Sequence, residues 1–127
     1  MKSKKLLLWI CRILAALIML QTLYYKFSGS PESVYIFSMV GMEPEGRYAT
    51  GIAELIASVL ILIPKTSLIG ALLALFIMLG AIATHLLILG IEVMEDNGQL
   101  FIYACLVALS SVYIIVQYTK RRKKAIV

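Results

Sequence analysis

Four apolar segments, each about as long as a bilayer is thick, decide what this chain can fold into. A helix needs about 20 mostly apolar residues to cross the hydrocarbon layer of a membrane. Segments of this kind cover residues 6–25, 47–63, 67–90 and 99–118. Between them lie turn and capping residues such as Pro64 and the polar stretch 92–98. The sequence therefore predicts an all-α, polytopic membrane protein: a bundle of four transmembrane helices in a single domain, residues 1–127.

Composition supports the same class. Of the 127 residues, 61% are hydrophobic and 15% are charged, and the mean hydropathy is +0.94. A soluble domain is about 45–50% apolar. A chain this short needs a polar surface to stay dissolved, and it has few charged residues with which to cover one. A separate soluble enzyme domain does not fit within this length.

The distribution of Lys and Arg predicts the orientation. Basic residues lie near the N-terminus, at Lys65 and in a basic tail, residues 119–127, whereas the segment 91–98 has none. Because short cytoplasmic loops are enriched in Lys and Arg, both termini are expected in the cytoplasm of a bacterial cell, with the protein in the inner membrane. The net charge of +5 then indicates contact of the tail with anionic lipid head groups. Nucleic-acid binding is not expected, since the basic run directly follows a span.

The first segment is expected to be a retained helix. It begins like a signal peptide, but Arg12 interrupts the apolar region and no clear cleavage site follows. We expect the long Arg12 side chain to reach the cytoplasmic head groups.

The sequence of the first outer loop predicts a short helix, with Ser30 as N-cap, Pro31 as first helical residue and Gly41 after its end.

The second segment carries Glu54, a carboxylate in an apolar run. Helical spacing places it on a face of small and polar residues with Gly51 and Ser58, so it should point into the bundle. The only histidine, His85, lies on the third segment at a similar depth. The sequence predicts a polar cluster of Glu54, His85, Gln21, Tyr25 and Tyr103, with Lys26, Asp96 and Gln99 at its outer rim. There Lys26 and Asp96 could pair and tie the first loop to the third.

Two interpretations of this cluster stay open. Ionisable residues inside a membrane are functional candidates by default, and a Glu/His pair could pass a proton or hold the polar head group of an apolar ligand. The alternative is a hydrogen bond between helices that only fixes their packing. One histidine is too few for a typical di-His haem or metal site, and no metal site is predicted. Cys11 and Cys105 differ too much in depth for a disulfide.

The chain resembles the DoxX family of small bacterial membrane proteins. The segments LQTLYYKFSGSPESVYIF, GRYATGIAELIASVLILIP, GALLALFIMLGAIATHLLILGI and DNGQLF carry the resemblance in order. The resemblance implies a four-helix membrane bundle. It also implies that the family's polar signature positions correspond here to Gln21, Lys26, Glu54, His85, Asp96 and Gly98. Members have been linked to the membrane subunit of thiosulfate:quinone oxidoreductase and to membrane-bound oxidative-stress complexes, and many have no established activity.

Three functional hypotheses follow. The first is a subunit of a redox-linked membrane complex that binds a quinone or similar lipid-soluble molecule at the cluster. Glu54 would accept a proton or hydrogen bond, His85 would be its partner, and Gln21 and Tyr103 would contact the head group. The second is a scaffold that recruits a membrane or peripheral partner protein, and the third is a small transporter, which would need a homo-oligomer. No nucleophile–base set or phosphate loop is visible, so the chain alone is not expected to be a complete enzyme.

Overall fold

The computed structural model describes residues 2–126, with side chains as far as residue 122, and this part of the chain is all helical without strands. A short 3₁₀ turn, Pro64–Thr66, joins the third helix to the fourth, and a π-helical turn, His85–Leu89, extends the fourth. The five α-helices are α1 (Lys2–Ser28), α2 (Pro31–Met39), α3 (Glu45–Leu62), α4 (Ser67–Thr84) and α5 (Gln99–Ile126).

The four long helices form a closed ring. α1 packs against α3 and α5, and α4 packs against the same two helices. The start of α1, the turn at Pro64 and the last third of α5 line one small cavity and therefore share one end of the bundle, which we call the basic end. The short helix α2 and the segment 90–98 lie at the opposite end, which we call the loop end. The predicted all-helical bundle is confirmed at this level.

Three helical stretches are long and apolar enough to cross a membrane: Lys2–Ser28, Pro64–Leu89 and Gln99–Arg122. The fourth long helix, α3, is not among them. It has 18 residues and carries Glu45, Arg47 and Glu54, so length and composition alone do not mark it as a span. The structure thus supports three of the four predicted spans by these criteria. It also extends α5 through the predicted basic tail as far as Ile126.

α3 and α4 pack closely against each other at small residues. Gly70 of α4 faces the α3 backbone, and a Cβ atom added there would lie 2.6 Å from the Ile61 nitrogen. Ala57, Ala71 and Ala74 are fully buried at the same seam. Small residues allow two helix backbones to approach this closely, which compensates for the weak hydrophobic driving force between helices in lipid. The opposite face of α3 is exposed and apolar, as its spacing predicts: Ile52, Leu55, Ile56, Val59 and Leu62.

Side chains complete the hydrogen bonds at the C-terminal end of α3. The last four carbonyls of any helix lack partners within it, and Pro64 has no N–H to offer the Leu60 carbonyl. The Thr66 hydroxyl donates to that Leu60 oxygen at 2.9 Å, and the Ser67 hydroxyl donates to the Ile61 oxygen at 2.9 Å. The turn that connects α3 to α4 therefore also caps α3.

Arg12 is the third capping group, and its position corrects the sequence-based expectation. The side chain does not extend away from the bundle but folds inward, and Arg12 is only 2% exposed. Its Nε donates to the Ile61 oxygen at 2.9 Å and its Nη2 to the Leu62 oxygen at 2.8 Å. The unpaired carbonyls and the negative end of the α3 dipole attract a cation at this point, and this attraction draws the guanidinium inward.

The short helix of the first loop is confirmed. The Ser30 hydroxyl accepts a hydrogen bond from the Ser33 N–H at 3.3 Å, and Pro31 is the first helical residue. Gly41, two residues past the end of α2, has φ +73°, a left-handed conformation that glycine adopts without steric cost. The helix therefore begins and ends at residues suited to those positions.

Candidate functional site: a cavity among the helices

A cavity of about 1030 Å³ occupies the loop-end half of the bundle. All five helices contribute to its wall. Most of the lining side chains are apolar, among them Met19, Ile77, Met78 and Val107. The predicted cluster residues also line it, as do two of the three rim residues: Glu54, His85, Gln21, Tyr25, Tyr103, Lys26 and Gln99.

The polar centre of this cavity is an ion pair. The Glu54 Oε1 lies 2.8 Å from the Lys26 Nζ, and the two side chains are 3% and 16% exposed. The Thr22 hydroxyl lies 3.1 Å from the other carboxylate oxygen, Oε2. Since an unpaired carboxylate in an apolar interior is strongly unfavourable, these two partners make the buried Glu54 tolerable.

The direction of the side chains explains why these residues meet. Cα–Cβ bonds in a helix tilt toward its N-terminus. α1 starts at the basic end, so the Lys26 side chain points back along α1 toward the middle of the bundle. α3 starts at the loop end, so the Glu54 side chain points toward that end. The two side chains therefore converge from different levels of their helices. Thr22, one turn before Lys26, faces the same side.

His85 lies where the α4 helix widens into its π turn. It is 5% exposed, its Nδ1 is 3.0 Å from the Gly90 carbonyl oxygen, and its ring meets the Phe101 ring edge-on at 5.6 Å. Because a carbonyl oxygen can only accept, Nδ1 carries a proton in this contact. The carboxylate of Glu54 is bound by Lys26 and Thr22 instead of His85, so the two predicted partners share the cavity without forming the predicted pair.

The remaining cluster residues lie on two opposite walls. On α5, the Gln99 Nε2 donates to the Tyr103 hydroxyl at 2.7 Å. On α1, Gln21 and Tyr25 are exposed and line the cavity from the other side. The cavity thus combines a buried ion pair with hydroxyl and amide groups nearer the surface.

Asp96 does not form the predicted rim pair with Lys26. Its Oδ1 accepts from the N–H groups of Val93 at 3.0 Å and Gly98 at 2.9 Å, and its Oδ2 accepts from the Leu100 N–H at 3.1 Å. Burial alone would raise the pKa of Asp96, but these backbone hydrogen bonds outweigh it and hold the pKa below its ordinary value. Asp96 therefore caps the start of α5, as its position before that helix suggests.

The loop around Asp96 needs this support. Met94, Glu95 and Asn97 all have positive φ, at 50°, 61° and 58°. For a residue with a side chain this left-handed conformation costs about 1 kcal/mol or more. Met94 also lines the cavity, so the carboxylate of Asp96 holds a strained segment of the cavity wall in place.

Arg47 ties the loop end together. Its Nη2 lies 2.8 Å from the Glu43 carboxylate, and its Nη1 donates to the Lys26 carbonyl oxygen. This contact fixes the last turns of α1 against the start of α3, which positions Lys26 over Glu54. Thr22 and Arg47 were not predicted as site residues. Their signal in the sequence is spacing: Thr22 precedes Lys26 by four residues, and Arg47 follows Glu43 by four.

No group of three or more His, Cys, Asp or Glu side chains within the described residues could hold a metal ion.

Comparison with known proteins identifies the family: the model of the DoxX-like family matches residues 10–111. No curated protein and no solved structure matches the chain. The matched range holds the apolar helices and the whole polar cluster, from Gln21 to Tyr103. The chain is therefore a membrane protein that belongs to the DoxX-like family.

Proposed function

We propose that the cavity binds a lipid-soluble molecule with a hydrogen-bonding head group, such as a quinone, and that the protein is a subunit of a redox-linked membrane complex. The observation that carries this proposal is the buried Glu54–Lys26 ion pair in the wall of a large apolar cavity. Ligand sites combine apolar walls with a few convergent polar groups, and this cavity has that composition.

The size and chemistry of the cavity suit such a ligand. Cavities that hold small molecules measure about 300–1,000 Å³, so 1030 Å³ leaves room for a ring and part of an apolar chain. The Lys26 ammonium and the Tyr103 hydroxyl can donate hydrogen bonds to a carbonyl oxygen. The Glu54 carboxylate can accept one from a hydroxyl. The His85 imidazole supplies a further polar group that lines the same cavity.

The proposed redox role rests on the family resemblance, and the residues of the chain indicate what part it would play. The sequence shows no motif that would hold an electron-carrying cofactor. Any electron transfer would therefore pass through a partner protein, with this chain positioning the lipid-soluble molecule and handling its protons.

We further propose that α3 is the fourth span and that both termini face the cytoplasm of a bacterial inner membrane. At about 1.5 Å per residue, the 18 residues of α3 extend roughly 27 Å, close to the thickness of the hydrocarbon core. Its charges are all accommodated: Glu54 by Lys26, Arg47 by Glu43, and Glu45 at the helix start.

Labelling of single cysteines tests this topology. In a background with Cys11→Ser and Cys105→Ser, Met42→Cys and Lys65→Cys place one exposed thiol at each end of α3. An impermeant maleimide should label the Met42→Cys protein from the periplasmic side, and the Lys65→Cys protein only after the membrane is permeabilised. Labelling of both from one side would refute a transmembrane α3.

The binding proposal is tested by mass spectrometry of small molecules extracted from the protein in native lipid discs. A quinone or similar molecule should be enriched with the wild type. Removing a charge-assisted hydrogen bond should weaken binding about 10- to 100-fold, so Glu54→Gln, Lys26→Met and His85→Ala should each lose the molecule. Glu45→Gln is the matched control, because Glu45 lies on the same helix, is exposed and does not line the cavity.

Folding must be checked in parallel, by circular dichroism and thermal unfolding. Folded variants that retain the molecule, or a folded wild type that enriches none, would contradict ligand binding at this cavity and leave the cluster with a packing role.

A further inference from the structure

A second cavity, of about 260 Å³, opens at the basic end of the bundle. It lies between the start of α1, the turn at Pro64 and the end of α5, and it shares no lining residue with the first cavity. Its polar and aromatic wall consists of Lys5, Trp9, Arg12, Tyr118 and Arg121.

The charges around this cavity are all of one sign. Every Asp and Glu of the chain lies between residues 32 and 96, whereas ten of the twelve Lys and Arg residues lie at 2–12, at 65 and at 120–124. The basic residues at those positions belong to the basic end of the bundle. No acidic side chain is therefore available there to neutralise the three cations of the cavity wall.

Arg12 makes this imbalance costly. It is 2% exposed, yet its hydrogen bonds go to two neutral carbonyls. Among the described residues the ion pairs are Lys26–Glu54 and Arg47–Glu43, so Arg12 has no counter-charge from this chain. A buried charge normally requires a charged partner. A guanidinium has five N–H donors, and the two carbonyls take two of them.

The wall is arranged for an anion at the membrane surface. Lys5, Trp9 and Arg12 follow one stripe of α1 at helical spacing, and Tyr118 and Arg121 follow one stripe of α5. The Arg12 guanidinium carbon lies 3.8 Å from the centre of the Trp9 ring. Trp and Tyr are enriched where a membrane meets water, so these rings place the cavity at the level of lipid head groups.

We propose that this cavity is a specific site for a phosphate group, supplied by an anionic membrane lipid, with Arg12 as its buried ligand. Guanidinium groups bind phosphate through paired hydrogen bonds, and Lys5 and Arg121 complete the charge at the rim. The volume suits a phosphate and its polar substituent, while the acyl chains extend along the exposed apolar face of α1, over Leu6 and Ile13. The site is independent of the proposed ligand cavity.

The test is native mass spectrometry of the full chain in detergent with added phosphatidylglycerol or phosphatidylcholine. A charge-assisted hydrogen bond to a phosphate strengthens binding about tenfold or more, and only residues that line the cavity can make one, so the double variant Lys5→Gln/Arg121→Gln should bind phosphatidylglycerol about 100-fold more weakly. Lys4→Gln/Arg122→Gln is the matched control, with the same change in net charge at neighbouring positions outside the cavity. It should bind nearly as well as the wild type.

Further measurements make the outcome decisive. Arg12→Lys keeps the charge but loses the planar guanidinium, and it should also weaken phosphatidylglycerol binding. Inorganic phosphate, tested as a competitor, distinguishes a lipid from free phosphate as the ligand. If millimolar phosphate displaces phosphatidylglycerol from the wild type but not from the Lys5→Gln/Arg121→Gln protein, the phosphate site is kept and is assigned to free phosphate. Equal losses in the two double variants, or equal binding of phosphatidylcholine and phosphatidylglycerol, would overturn the proposal. Circular dichroism verifies that each variant is folded.

Discussion

Replacing Gly70 by alanine should force α3 and α4 apart, because the two helices pack closely at this residue. An added Cβ would lie 2.6 Å from the Ile61 nitrogen, 2.8 Å from the Leu60 Cβ and 2.9 Å from the Ala57 carbonyl oxygen. Ordinary van der Waals contact begins at 3.4 Å. Two of the three opposing atoms belong to the α3 backbone and cannot rotate away, so α4 must move outward by roughly 0.8 Å, which loosens the whole seam.

The magnitude follows from two opposing effects. Overpacking of a tight core costs about 1–3 kcal/mol. Alanine in a helix interior gains about 0.5–1 kcal/mol over glycine. The difference between these ranges is about 0–2.5 kcal/mol, and we expect Gly70→Ala to lower the free energy of unfolding by about 1 kcal/mol, near its middle.

Gly80→Ala is a control on the same helix. A Cβ added at Gly80 has no atom within 4 Å, so only the gain in helix propensity remains, about 0.5–1 kcal/mol. Unfolding in mixed micelles, titrated with sodium dodecyl sulfate and followed by circular dichroism, measures both variants. The reasoning is refuted if Gly70→Ala is as stable as the wild type, or if both variants shift stability in the same direction.

Three further substitutions probe the polar groups, with unfolding again as the readout. Lys26→Met should cost about 3–5 kcal/mol, because it leaves the Glu54 carboxylate buried without its counter-charge; a loss under 1 kcal/mol would mean that Glu54 is readily hydrated. Arg12→Met should cost about 1–3 kcal/mol, since the Leu62 oxygen loses its donor and the Ile61 oxygen keeps only the Ser67 hydroxyl, and an unchanged stability would show that water replaces the guanidinium. Asp96→Asn should cost about 1 kcal/mol at neutral pH, because both carboxylate oxygens accept from backbone N–H groups and the amide keeps only one acceptor oxygen. The pKa of Asp96 is lowered by folding, so its contribution is complete above the unfolded value of about 3.9 and is lost as the pH falls through the folded pKa. The difference between wild type and Asp96→Asn should therefore shrink in acid, and a difference that is constant down to about pH 2 would contradict this assignment.

The parts of the fold that depend on local rules could be predicted from the sequence. The buried face of α3 follows from a period of 3.6 residues, and the bounds of α2 follow from a serine cap, a proline at its start and a glycine past its end. These features depend on residues within a few positions of each other, where helix geometry leaves little choice.

Contacts between helices were harder to predict. Matching Glu54 with residues at the same depth favours His85, yet the structure pairs it with Lys26. A long side chain can bridge a difference in level between two antiparallel helices, and the direction of Cβ decides which residues meet. Similarly, Arg12 binds the Ile61 and Leu62 carbonyls, because the last carbonyls of α3 lack partners within the helix. The π turn at His85 has no signal in the sequence that we can identify.

The ion pair itself gives the sharpest way to separate binding from packing. Replacing a buried ion pair by packed hydrophobic residues is often neutral or stabilising by about 1–4 kcal/mol. If Glu54 and Lys26 only joined α1 to α3, two apolar side chains of similar volume would therefore give a bundle that is at least as stable. The double variant Glu54→Leu/Lys26→Met should therefore recover most of the stability that Lys26→Met loses. If the pair exists for a ligand, this stable double variant should carry none of the quinone-like molecule that accompanies the wild type. A double variant that is stable and still binds would assign ligand recognition to other groups in the cavity, and the buried charges would then have no functional explanation.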